Sequence, residues 1–312
     1  MTAFYELEMQ YLHLLEKLRD IPGLNTFFEL ITELGFELIA LGAICIIFWC
    51  IDKNFGYKMG FVYFASGMLV QGLKITCRVP RPWDREPGFL PVGGEEGRVF
   101  QKATGFSFPS GHTQSATTLF GSLAFYFKKT WVKVLCVVTF LLVGFSRNYL
   151  GVHYSSDVIV SMLLSLACIL IFGKVFEKIS NNKKYDLLVA IILAAISLSV
   201  MVYALILEGN GTITDPKYAL DCCKTGGAGL GFAIGWYVER KWVDFSVKTD
   251  KVWHQVAKVA IGIGLALLLK EIPKIIFGDT AIVGMIRYMF VTFWIVGAFP
   301  YIVKKYGKLI LK

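Results

Sequence analysis

The chain has 312 residues, of which 55% are hydrophobic and only 18% are charged, and its formal net charge is +9. A soluble domain is expected to hold roughly 25% charged residues, and the apolar residues here fall in long runs, which argues against a soluble globular enzyme and against a disordered chain. The basic residues lie in short stretches between these runs, so a nucleic-acid-binding protein, with its clustered basic surface, is not expected either.

The first predicted element is an amphipathic helix over residues 4–19. Phe4 and Leu7 begin an apolar face at helical spacing, while Glu6 and Glu8 lie on the other side. This pattern is typical of a helix that lies in the membrane interface, and Pro22-Gly23 ends it.

Apolar runs follow along the rest of the chain. The seventh of these runs, residues 223–238, is rich in glycine. Glycine weakens an isolated helix, but it lets membrane helices approach each other closely. At roughly 20 residues per crossing, the pattern predicts an all-α polytopic membrane helix bundle with about nine transmembrane helices plus the N-terminal interfacial helix. The runs cover residues 27–51, 57–73, 113–127, 131–146, 156–173, 186–207, 223–238, 255–272 and 281–303.

The same pattern suggests three regions. Residues 1–26 form the interfacial helix, residues 27–207 form a core with six spans, and residues 208–312 form a C-terminal extension of about three spans. The seven cysteines have no regular spacing, so neither a disulfide framework nor a zinc site is expected. No cleavable signal peptide is expected at the N-terminus.

The charges of the loops predict the orientation. The loops that include residues 128–133, 174–184 and 239–251 fall on one side of a nine-span chain, here called side one, and they hold far more Lys and Arg than Asp and Glu. Cytoplasmic loops are enriched in Lys and Arg, so side one is expected to be cytoplasmic. The other side, side two, is then extracytoplasmic.

Three polar segments stand out because each occurs where a span ends, on side two. The first begins at Lys74 and ends at Arg81-Pro82, the second is Pro109-Ser110-Gly111-His112, and the third runs from Ser146-Arg147 through His153 to Asp157. Helices that are distant in sequence can therefore bring the three segments together.

The residue types in these segments are those that bind and transfer phosphate. Lys74, Arg81 and Arg147 are three cations, and Arg offers bidentate contacts to phosphate oxygens. Ser110-Gly111 lies where a helix begins, and a helix N-terminus offers free N–H groups to an anion. His153 and Asp157 are four residues apart, so the carboxylate can orient the imidazole, and two histidines suggest one nucleophile and one general acid.

The pattern K-x6-RP, PSGH and SR-x5-H-x3-D resembles the type 2 phosphatidic acid phosphatase superfamily. That superfamily includes membrane lipid phosphate phosphatases and glucose-6-phosphatase, and the likeness is close over residues 74–157. The resemblance implies that His153 attacks phosphorus to form a phosphohistidine, that Asp157 orients it and that His112 protonates the leaving oxygen. It also implies that neither a metal nor a cofactor is needed, and that five residues bind the phosphate: Lys74, Arg81, Ser110, Gly111 and Arg147.

One feature departs from the six-span lipid phosphatases, because here the first motif follows the second span rather than the third. This layout is more similar to glucose-6-phosphatase and to some sphingosine-phosphate phosphatases. The function predicted first is hydrolysis of lipid phosphate monoesters or pyrophosphates at the extracytoplasmic face. The alternatives are a sugar-phosphate phosphatase and, because of the extra C-terminal spans, a lipid transporter or binder.

The expected partners are a lipid phosphate or pyrophosphate substrate and membrane lipids, with no nucleic acid. The short loops favour a bacterial plasma membrane, with the endoplasmic reticulum as the alternative. The substrate itself and the oligomeric state stay open at this point.

Overall fold

The computed structural model describes residues 2–179, 182–249 and 251–310, and every regular element within these ranges is helical. The predicted all-α class is therefore confirmed. Short 3₁₀ turns and π-helical segments connect or extend several of the helices. The α-helices are α1 (Thr2–Glu16), α2 (Leu24–Glu33), α3 (Glu37–Ile46), α4 (Lys53–Cys77), α5 (Pro82–Arg85), α6 (Arg98–Lys102), α7 (Gly111–Tyr126), α8 (Thr130–Tyr149), α9 (Ser155–Ile179), α10 (Asp186–Gly209), α11 (Pro216–Val238), α12 (Val252–Phe277), α13 (Ala281–Phe293) and α14 (Phe299–Ile310).

In the described ranges, four helical segments are long and apolar enough to cross a membrane: Thr130–Tyr149, Ser155–Ile179, Lys183–Gly209 and Ala281–Gly307. A fifth span is formed if Leu24–Glu33 and Glu37–Ile51, which meet at an angle of 46°, are taken together. The other predicted apolar runs are helical as well, in α4, α7, α11 and α12.

The described helices belong to two compact units. The first consists of residues 1–40 and 72–169. In it, a short turn joins α7 to α8, so the start of α7 lies beside the end of α8. A methyl group added at Gly144 would lie 3.6 Å from the Thr113 side chain, and Ala116, Phe140 and Val143 form a core between the two helices.

The N-terminal helix α1 packs within this first unit. Met9 and Leu12 are buried against Phe89 and Tyr154. Several apolar side chains on the rest of α1 are exposed, including Leu7. One face of the helix is thus fixed by protein contacts, and apolar side chains on the rest of its surface are left uncovered.

The second unit consists of residues 41–71 and 170–312, and its core is aromatic. Phe61 is buried between Phe232 and Trp236 of α11. A second close contact joins α11 to α13. A methyl group added at Gly231 of α11 would overlap the Met289 carbonyl oxygen of α13. The glycines that weaken helix propensity in the seventh run therefore let α11 approach the backbone of α13.

Candidate active site

The three polar segments lie at four helix ends of the first unit. Lys74 is in the last turn of α4, and Arg147 is in the last turn of α8. Ser110 caps the N-terminus of α7, where its hydroxyl oxygen accepts a hydrogen bond from the Thr113 N–H. Asp157 is in the first turn of α9.

Asp157 fixes one nitrogen of His153. Its Oδ2 atom lies 3.2 Å from His153 Nδ1, and both side chains are buried. The same oxygen accepts hydrogen bonds from the Tyr154 backbone N–H at 2.9 Å and from the Ser107 hydroxyl. The carboxylate is therefore held in place by the turn before α9 and by the loop before α7.

The other nitrogen of His153 faces Arg81. Arg81 Nη1 lies 3.1 Å from His153 Nε2. Guanidinium N–H groups only donate hydrogen bonds, so Nε2 is the acceptor, and the ring proton belongs on Nδ1, where it is donated to Asp157. This tautomer leaves the nucleophilic lone pair on Nε2, directed at the cationic side chain.

Arg81 also holds the loop that leads to α7. Its Nε donates to the Gly105 carbonyl at 2.9 Å, Nη2 donates to the Thr104 carbonyl at 2.7 Å, and Nη1 donates to the Val152 carbonyl at 2.7 Å. Lys74 acts on the same loop, because its Nζ donates to the Phe106 carbonyl at 2.6 Å. Both cations are thus positioned by backbone carbonyl groups.

Arg147 is buried and keeps a donor available. Its Nη1 donates to Thr32 Oγ1 at 2.7 Å, while its buried Nε has no hydrogen-bond partner among the described residues. A buried guanidinium N–H without a partner is costly. An anion bound at this point would satisfy it.

The N-terminus of α7 offers backbone N–H groups that could bind an anion. A methyl group added at Gly111 would meet no atom of the described residues within 4 Å. Space is therefore open beside the first N–H groups of the helix, which carry the positive end of its dipole. The half-buried His112 follows directly.

The electrostatics of the site lower the pKa values of both imidazoles. Burial, followed by the charges of Arg81, Arg147 and Lys74, holds the pKa of His153 well below its usual range. Burial also lowers the pKa of His112, and Arg147, Arg81, Lys102 and Lys74 add to that effect. The shared cations indicate that the two histidines flank one positively charged site.

Comparison with known proteins identifies the family of the chain. Residues 55–181 match the model of the PAP2 superfamily, and residues 223–309 match the PAP2 superfamily phosphatase transmembrane extension. The chain is 30% identical over 176 residues to phosphatidylglycerophosphatase B of Bacillus subtilis, and this match covers 52% of this chain and 80% of the relative. The chain belongs to the PAP2 superfamily. It is a phosphatase and an integral membrane protein.

Other PAP2 relatives differ in length and in named substrate. Sphingosine-1-phosphate phosphatase 1 of Rattus norvegicus is 23% identical over 270 residues, covering 85% of this chain and 59% of the relative. An undecaprenyl-diphosphatase of Bacillus subtilis is 28% identical over 164 residues, covering 51% of this chain and 76% of the relative. The named substrates therefore include both monoesters and diphosphates.

The structure shows three further residues in contact with the motif residues, and none of the three was predicted from the sequence. Ser107 donates to Asp157, Thr32 accepts from Arg147, and Asn148 Nδ2 donates to the His153 carbonyl at 2.9 Å. Asn148 follows Arg147 directly and Ser107 lies two residues before Pro109, which is a weak signal. Thr32 lies 115 positions before Arg147, and nothing in the sequence connects the two.

Proposed function

We propose that this phosphatase hydrolyses phosphate monoesters or diphosphates of lipids through a phosphohistidine at His153, without a metal. The observation that carries the proposal is the position of the His153 ring, with Nδ1 held by Asp157 and Nε2 next to Arg81. A neutral imidazole with its tautomer fixed by a carboxylate is an activated nucleophile.

In the first step, His153 Nε2 attacks phosphorus and the bond from phosphorus to the leaving oxygen breaks. His112 donates its proton to that oxygen, and Asp157 stabilises the cationic ring of His153. In the second step, water attacks the phosphohistidine while His112 takes a proton from it. The P–N bond breaks, so inorganic phosphate is released and both histidines return to their starting states.

Five groups bind the transferred phosphoryl group. Their positive charge takes the part that Mg²⁺ plays in other phosphoryl-transfer enzymes. The buried, unpartnered Nε of Arg147 and the open space at Gly111 support this assignment. The five groups are Lys74, Arg81, Ser110, Gly111 and Arg147.

The lipid nature of the substrate is supported by the names of the relatives, which act on phosphatidylglycerophosphate, sphingosine-1-phosphate and undecaprenyl diphosphate. Exposed apolar side chains on α8 and α9, such as Leu141 and Leu163, face the surroundings rather than the protein core. An acyl or prenyl tail in the membrane therefore has direct access to these helices.

We extend the proposal to the membrane arrangement. Nine spans and an interfacial α1 divide into residues 1–26, 27–207 and 208–312, and the apolar side chains exposed on α1 support the interfacial position. The excess of Lys and Arg in the loops of side one supports a cytoplasmic side one. The active site then opens at the extracytoplasmic face of a bacterial plasma membrane.

The test is a substrate panel with purified protein in detergent. We expect phosphate release from lipid phosphates or diphosphates in EDTA, much less from glucose 6-phosphate, and inhibition by vanadate. His153→Ala should abolish turnover and the acid-labile phosphoenzyme formed from a ³²P-labelled substrate. Activity that survives in His153→Ala, or strict preference for glucose 6-phosphate, would overturn the proposal.

A further inference from the structure

The break between α2 and α3 lies against the proposed catalytic groups. Beyond Thr32, which holds Arg147, a methyl group at Gly35 would lie 2.7 Å from the His112 carbonyl oxygen. The ring centroids of Phe36 and His112 are 6.3 Å apart. This segment therefore forms a wall beside His112.

Lys102, at the end of α6, lies on the same wall. Its Nζ is 3.0 Å from Glu33 Oε1 and 4.9 Å from the Phe36 ring centroid. Arg98 Nη2 binds the same carboxylate oxygen at 3.2 Å. Two cations thus share one carboxylate, and the group of three keeps a net positive charge.

Lys102 lies on the side of the site that holds His112 rather than on the side that holds His153. Lys102 and His112 both lie near the Phe36 ring, and after burial and the two arginines the charge of Lys102 also lowers the pKa of His112. The main charges acting on His153 are instead Arg81, Arg147 and Lys74. Lys102 is therefore a fourth cation, on the side of the proposed general acid.

The two candidate substrate types differ at that side. In a monoester, the oxygen that His112 protonates joins an uncharged carbon. In a diphosphate, the same oxygen joins a second phosphate, which carries negative charge away with the leaving group. A cation on the His112 side of the site can stabilise this developing charge, whereas a simple monoester offers that cation no second phosphate.

We propose that Lys102, anchored by Glu33, binds the leaving phosphate and makes this protein selective for lipid diphosphates over monophosphates. The inference rests on the proposed function and assigns a substrate class to it. Lys102 keeps its contact with Glu33 in the complex, because an ammonium group has three N–H donors and its side chain is about one-third exposed, at 35%.

The experiment compares farnesyl diphosphate with farnesyl monophosphate, which share one tail. We expect the wild type to have the higher kcat/KM for the diphosphate. Lys102→Met should lower kcat/KM for the diphosphate by roughly 10- to 100-fold, as loss of one hydrogen bond to a charged group does, and for the monophosphate by less than about threefold. Lys102→Arg should retain most of the selectivity, because it keeps the charge.

The matched control is Lys128→Met, which removes an exposed lysine just beyond the far end of α7 and should leave both values unchanged. Size-exclusion elution checks that each variant is folded. Equal losses on both substrates, or none, in a folded Lys102→Met protein would overturn the role of Lys102 while leaving lipid phosphatase activity intact. A wild type that releases phosphate from neither farnesyl substrate nor from any lipid of the substrate panel would overturn the proposed function and this inference together.

Discussion

Ser107 is the residue that most directly supports the proposed orienting carboxylate. Its hydroxyl donates to the Asp157 oxygen that faces His153. Hydrogen bonds to a charged group contribute about 1.5–3 kcal/mol, and a change of about 1.4 kcal/mol is tenfold in rate. Ser107 is thus expected to act through Asp157 without touching the substrate.

We predict that Ser107→Ala lowers kcat by roughly tenfold with little change in KM, since the carboxylate stays but is less well oriented. Asp157→Asn should cost about 10³- to 10⁴-fold, as loss of the orienting carboxylate does in catalytic triads. Steady-state kinetics on a lipid phosphate measures both. Ser199→Ala is the control, because the Ser199 hydroxyl donates to its own helix at Ala195. A larger loss in Ser107→Ala than in Asp157→Asn would contradict this role.

The pH dependence follows from the lowered pKa values of the two histidines. A pKa of His153 below its usual range keeps the nucleophile neutral above that pKa and loses it only as the pH falls through it. The pKa of His112 is lowered too, so its proton is lost early as the pH rises in the free enzyme. A bound phosphate offsets the surrounding cations and raises the pKa of His112.

We therefore expect the alkaline limb of the kcat profile to lie at higher pH than that of kcat/KM, which reports the free enzyme. The acid limb of kcat/KM should lie at a pH below about 6.5, which is the usual pKa of a histidine side chain. Rate profiles of the wild type and His112→Asn test this, and the variant should lose the alkaline limb. Alkaline limbs at the same pH in both wild-type profiles would contradict a rise in the pKa of His112 on phosphate binding.

At the scale of elements, the contact of α11 with α13 depends on glycine. A methyl group at Gly231 would lie 2.0 Å from a backbone oxygen, whereas one at Gly264 of α12 would meet no atom of the described residues within 4 Å. A backbone oxygen cannot move aside as a flexible side chain can. Gly264 therefore serves as the control position for a substitution at Gly231.

We predict that Gly231→Ala destabilises the protein by about 1–3 kcal/mol, as overpacking does. Gly264→Ala should be neutral or stabilising by up to about 1 kcal/mol, because alanine is the better helix former. Thermal unfolding in detergent compares the two Tm values. A Gly231→Ala protein at least as stable as the wild type would show that the helices separate easily.

The helices follow well from the sequence, because long apolar runs are a strong periodic signal. The run over residues 27–51 is different: it reads as one span, yet it breaks after Glu33. At the break, Gly35 packs closely against the backbone of His112, a residue far along the chain. The motif residues could be grouped because each lies at the end of a predicted span, whereas the partners of Arg147 and Asp157 are hydroxyl groups in distant segments with no pattern of their own.

For the whole molecule, orientation is the property that can be tested most directly. Among the seven free cysteines, Cys77 at the end of α4 is exposed, while the others are buried or half-buried. It belongs to the side proposed to be extracytoplasmic. Lys129, in the turn between α7 and α8, belongs to the other side and is exposed.

We predict that a membrane-impermeant maleimide labels Cys77 in intact cells. A Lys129→Cys substitution in a Cys77→Ser background should be labelled only after permeabilisation, because its thiol then faces the cytoplasm. Mass spectrometry of the labelled peptides gives the result, with Cys77→Ser as the blank. The reverse pattern would place the active site on the cytoplasmic side.

We expect the carbonyl groups that hold Arg81 and Lys74 to affect product release in the proposed mechanism. A bare ring of cations would retain inorganic phosphate and slow each cycle. Here the loop oxygens of Thr104, Gly105 and Phe106 accept hydrogen bonds from these cations, so in the proposed mechanism the phosphate competes with neutral acceptors that are already in place. We expect this competition to weaken the binding of inorganic phosphate and so to favour its release.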